Sequence, residues 1–149
     1  MAGSTMYAAK AQLLTLLQAN STLSSIQVAY ADPGEAGRRE SIFFGDINSN
    51  TQTPESLASG RRRRLEDYTI DIHVFVQSKA AGQQEAEQRA LVLANAVEDV
   101  LADYPSLDDG VSGLMFIECS GMSMSASEIG IDGPRVEVTV HATVKARLQ

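Results

Sequence analysis

Residues 65–77, LEDYTIDIHVFVQ, decide the fold. Tyr68, Ile70, Ile72, Val74 and Val76 recur at every second position, while Asp67, Thr69, Asp71, His73 and Gln77 alternate with them and Phe75 is the one apolar exception. A period of two belongs to a strand with one face in a core and the other in water. Faces that differ this cleanly predict a mainly antiparallel sheet rather than a buried parallel one.

Working outward, four consecutive arginines, Arg61, Arg62, Arg63 and Arg64, stand directly before this strand. They close a stretch, 46–64 (DINSNTQTPESLASGRRRR), rich in Asn, Ser, Thr, Gly and Pro with little to bury, which reads as an extended polar loop. Loops of that length inside a domain are uncommon and are usually functional or disordered. Upstream, IQVAYA (26–31) and SIFFGDI (41–47) read as two short strands, and DPGEAG between them reads as the turn of a hairpin. The first segment, 4–20, carries Tyr7, Ala11, Leu13, Leu14 and Leu17 at helical spacing. Its lysine within an amphipathic pattern reads as a helix rather than a signal peptide.

Downstream, 82–104 places Ala90, Leu93, Ala94, Val97, Val100, Leu101 and Tyr104 on one stripe of a long helix that Pro105 stops. LMFIECSGMSMS (114–125) and PRVEVTVHATVKARLQ (134–149) are the closing strands, with SASEIGIDGP as the turn between them. In the last strand Val136, Val138, Val140, Ala142 and Val144 face inward. The expected fold is therefore a single α+β domain over 1–149, ordered α-β-β-β-α-β-β. About five strands form a mainly antiparallel sheet with two helices packed on one face.

The chemistry is sparse. His73 and His141 both fall on the polar face, in reach of Asp71 or Glu137, but two histidines fall short of the three protein ligands of a catalytic zinc site. Cys119 is the only cysteine, which excludes an internal disulfide and reads as a small buried thiol. No phosphate-binding glycine loop with its lysine and no nucleophile elbow is present. The expectation is a protein that is not an enzyme, needs no cofactor and carries no catalytic or metal site. With 44% apolar residues, no run long enough to span a bilayer and a net charge of -7, a membrane protein and a general nucleic-acid binder are both disfavoured. The arginines then read best as a local protein-binding patch, since the guanidinium fork pairs bidentately with carboxylates. Asp103, Asp108 and Asp109 of a second copy are the expected acidic counterparts; a solvated loop end and a phosphate contact are the competing readings.

The element order, with LEDYTIDIHVFVQ, AEQRALVLANAVEDVLADYP (86–105) and RVEVTVHATVKARL (135–148), resembles the tail terminator (tail completion) proteins of long-tailed bacteriophages over nearly the whole chain. The resemblance implies a virion protein, assembled in the host cytoplasm, that forms a hexameric ring at the head-proximal end of the tail tube. Such a ring ends tube polymerisation, joins the tail to a head-completion or connector protein, and lets genome DNA pass without specific binding. It places the long loop and Arg61 to Arg64 against the tube or a neighbouring subunit. The alternatives are another head–tail connector, a tail-tube component or, further off, a nucleic-acid-binding module using the arginines.

Overall fold

The computed structural model describes residues 3–33, 39–54, 64–77, 82–128 and 133–148. Among them the order is α1 (Met6–Ala19), β1 (Gln27–Ala29), β2 (Glu40–Pro54), β3 (Arg64–Gln77), α2 (Gln83–Asp103), β4 (Leu114–Glu128) and β5 (Pro134–Leu148), with short 3-10 turns at Ser21–Leu23 and Leu107–Asp109. The strands form one sheet in the order β1-β2-β3-β5-β4. Both helices lay their apolar stripes on the face made by Tyr68, Ile70, Ile72, Val74 and Val76 of β3 and by Val136, Val138, Val140, Ala142 and Val144 of β5. The α+β class with helices on one face is the architecture the alternating patterns predict.

Small residues make up much of the inward stripe of α2. Along α2, Ala86, Ala90 and Ala94 are buried beside Leu93, Val97 and Leu101, so the helix axis sits close to the sheet. Each fully buried Leu, Ile or Val contributes roughly 1.5–3 kcal/mol by leaving water. From α1, Ala9, Leu13 and Leu17 complete the layer. Tyr104, assigned to the α2 stripe by spacing, is the helix C-cap and stands partly exposed.

Two expectations change. β1 and β2 are not a hairpin: Gln27, Val28 and Ala29 pair in parallel with Ser41, Ile42 and Phe43. Alternation reports which face is buried and is blind to strand direction, so the sequence pattern carried no information on this point. Nor is 46–64 a loop throughout. β2 continues to Pro54 and β3 begins at Arg64, so 46–54 is paired strand; Arg61, Arg62 and Arg63 lie outside the described residues. Irregularities between Phe44 and Ile47, and between Asn48 and Thr51, insert extra residues in β2. Each shifts the parity of the strand, which is why its inward positions look unpatterned in sequence.

Gly113 holds the turn into β4 at φ 86°, and a β-carbon there would lie 2.7 Å from the Arg147 carbonyl oxygen. Gly113 also accepts the Arg147 N–H through its own carbonyl at 2.8 Å. Gly113→Ala is expected to destabilise the fold by about 1–3 kcal/mol, from a left-handed backbone and a backbone clash together, read as a lower urea midpoint.

Candidate interaction surfaces

The helix-free face of the sheet is polar, half-buried and internally paired. Antiparallel register sets Asp71 opposite His141 and His73 opposite Thr139. His141 Nδ1 lies 2.7 Å from Asp71 Oδ1, and His73 Nδ1 lies 2.9 Å from Glu137 Oε1 and 3.1 Å from Thr139 Oγ1. Thus each histidine has its own carboxylate, as the sequence pattern anticipates, and among the described residues no cluster of three or more metal-ligating side chains forms. Of the apolar exceptions, Phe75 and Phe116 are covered by cations, Arg135 at 4.7 Å and Lys145 at 5.8 Å from the ring centres, and Phe43 packs on the His73 ring at 5.2 Å. This face is a lattice of side-chain pairs and cation–ring contacts, each worth little at a solvated surface.

The end of the sheet where β2 meets β3 is built differently. Glu66 falls in phase with Tyr68 and Ile70, so its carboxylate enters the core layer and is fully buried. It accepts hydrogen bonds from the Thr5 N–H (2.9 Å), the Thr5 hydroxyl (2.9 Å) and the Asn50 amide (3.0 Å), with the Gln52 amide at 3.5 Å. Burial by itself raises the carboxyl pKa, but hydrogen bonds from Ser4, Thr5 and Asn50 together outweigh it and hold Glu66 below the ordinary glutamate value. Tyr68 shares a 2.9 Å hydrogen bond with Thr5, and burial pushes its phenol up to about 12. Thr5 is the N-cap of α1 and makes no side-chain cap of its own; the Glu66 carboxylate accepts the backbone N–H of Thr5 and sets a negative charge at the positive end of the helix. The result ties the polar half of the β2–β3 pair to the start of α1. Sequence reading passed over Glu66, although its place two residues before Tyr68 on an inward parity was the available signal.

At the tip of this arm Pro54 pairs with Arg64, whose guanidinium donates to Gln52 Oε1 at 3.0 Å. Arg64 is exposed. The proposed acidic counterparts are exposed as well: Asp103 ends α2, and Asp108 and Asp109 form a 3-10 turn with left-handed φ of 56° and 54°. That turn is held from below by buried Leu107, whose carbonyl accepts the Gln12 amide at 3.1 Å. Within one chain Arg64 is engaged by Gln52 rather than by any of these aspartates.

Cys119 is half-buried on β4 and lines a groove of about 260 Å³ with Glu98, Leu101, Ala102, Pro105, Ile117 and Glu118. Its thiol faces the Gly121 carbonyl at 3.7 Å, a weak contact.

No protein-family profile matches this chain, and no curated protein matches it. Among solved structures, a chain from the virion of a native gene transfer agent (GTA) particle is similar over 97% of this chain and 100% of its own, with a TM-score of 0.60 and 18% sequence identity. A weaker likeness, TM-score 0.39 at 20% identity, covers 97% of this chain and 89% of the bacteriophage SPP1 gp17 protein. The first of these likenesses shows a shared fold from end to end.

Proposed function

We propose that this protein is a structural component of a phage-type virion: a tail terminator that forms a ring at the head-proximal end of the tail tube, stops tube growth and presents a surface for head attachment. The observation that carries the reading is the full-length likeness of its fold to a chain that belongs to a virion. Three features of the chain support it. The polar β2–β3 arm, tipped by Arg64 and preceded in sequence by Arg61, Arg62 and Arg63, offers a grip for a neighbouring subunit or the tube. Exposed carboxylates, among them Asp103, Asp108 and Asp109, give a second copy acidic surface. A net charge of -7 opposes retention of DNA that passes through a ring.

The reading includes six copies per ring and no enzymatic activity. Gold-labelled antibody on isolated particles is the test, with label expected at one point where tail meets head. Label along the tail instead identifies a tube subunit, and label absent from every particle removes the virion reading. Light scattering after size-exclusion chromatography checks the ring, with a mass six-fold that of the 16.0 kDa chain expected.

A further inference from the structure

We infer that the groove between α2 and the open edge of β4 receives the arginine-bearing end of the β2–β3 arm of a second copy. The inference rests on the ring reading above and specifies its subunit contact.

β4 is the last strand of the sheet. Among the described residues, its outer side makes one backbone bond to another segment, from the Ile117 N–H to the Pro105 carbonyl at 2.8 Å. Beyond that point the edge from Cys119 to Ala126 pairs with β5 alone. Past the irregularity between Cys119 and Gly121 the ladder from Gly121 to Ala126 is regular, and this unpaired edge, with no lysine or proline in it, is a template for an added extended segment. The floor beside it is apolar and incompletely covered: Cys119 and Met122 are half-buried, and Met124 is 46% exposed although its register partner Val138 is in the core.

The opposite wall is the flank of α2. Glu98, Leu101 and Ala102 line the groove at its Pro105 end. Spacing of three and four residues carries that flank back through Leu91, 38% exposed, to Glu87. Among the described residues Glu87 accepts one long hydrogen bond, 3.5 Å, from Gln83, and no basic side chain is paired with Glu87 or Glu98. An apolar floor, a free backbone edge and two unneutralised carboxylates call for an extended segment that is basic. The sequence supplies the charge, since four of its twelve lysines and arginines are consecutive at Arg61 to Arg64.

The occupant has to come from another copy. Along β5, Arg64 lies level with Leu148, whereas Cys119 lies level with Ala142 and Met124 with Val138. At about 3.4 Å per residue these levels are roughly 20–34 Å apart, and the near end of the groove at Ile117, level with Val144, is about 14 Å along β5 and two strands across from Arg64. Arg61 is separated from Arg64 by at most about 10 Å of extended chain. Arm and groove are different patches, so the contact is heterologous and closes into a ring where its rotation permits.

Charge reversal on each side tests this, with half-assembly concentrations read from light scattering across a dilution series. Glu87→Arg with Glu98→Arg, on an exposed flank, and Arg61→Glu with Arg62→Glu are each expected to raise that concentration by on the order of tenfold or more. Combining the four substitutions is expected to recover most of the loss. A groove variant that assembles like the parent, or a combination no better than either pair, overturns the inference. So does loss of assembly from Asp103→Lys, Asp108→Lys and Asp109→Lys while the groove variant is unaffected. A parent protein that stays monomeric at every concentration defeats the ring reading as well, whereas an assembling parent with an indifferent groove defeats this inference alone.

Discussion

Glu66→Ala is expected to destabilise the protein by about 2–4 kcal/mol in urea unfolding near neutral pH. Removing the carboxylate leaves the buried Thr5 N–H without its acceptor and leaves the Thr5 hydroxyl with Tyr68 alone, while the exposed Asn50 amide turns to water. Each buried donor stranded in this way costs about 1–3 kcal/mol, and the lost side-chain volume adds to the total. Glu66→Gln keeps the shape and one acceptor oxygen, so a loss of about 1–2 kcal/mol is expected. The pH dependence follows from the sign of the shift. The folded carboxyl has a pKa below its unfolded value, so its contribution is fully present above the ordinary glutamate range. It is lost as pH falls from that range through the lower folded pKa. The difference between the parent and Glu66→Gln is therefore expected to shrink in acid; a gap that widens as pH falls would contradict the hydrogen-bonded carboxylate described above. Because Glu66 ties the arm to α1, protease susceptibility of residues 46–54 is expected to rise in Glu66→Ala before global unfolding.

The second large effect is expected at Leu93. It is fully buried at the centre of α2, on a helix whose other inward residues include Ala86, Ala90 and Ala94. Where neighbours are already alanine, a deleted isobutyl group cannot be replaced by small shifts of larger side chains, and a cavity remains. Leu93→Ala is expected to cost about 3–5 kcal/mol, towards the upper end for large-to-small core changes. Two residues earlier Leu91 is 38% exposed, and Leu91→Ala is expected to change stability by only about 0.5 kcal/mol. Comparing the two by thermal unfolding separates the roles of the two faces of one helix. The same Leu91→Ala variant is expected to weaken assembly if its flank is the wall of the subunit groove.

Much of this architecture is written in periodicity. β3, β5 and α2 each have a buried face that can be read directly from residue spacing, because a strand or helix must present one chemistry to the core and another to water. The pairing of His73 and His141 with carboxylates was legible for the same reason, since outward residues of adjacent antiparallel strands meet across the ladder.

Other features depend on pairings between distant segments, which spacing does not encode. The parallel placement of β1 beside β2 is one, and the continuation of β2 through Asn48, Asn50 and Gln52 is another. Asn50 and Gln52 sit in that strand with their amides on Glu66, a partner far away in sequence that rewards amides rather than alkyl groups. The open edge of β4 is likewise a property of the sheet order, and its groove exists only once α2 has been laid across β5. Composition and periodicity by themselves determined the class of fold, its inward faces and its lack of a recognisable catalytic motif. Tertiary structure alone decided which edge stays unpaired and which charges lie beside it, because those depend on contacts between segments whose separation in sequence leaves no local pattern.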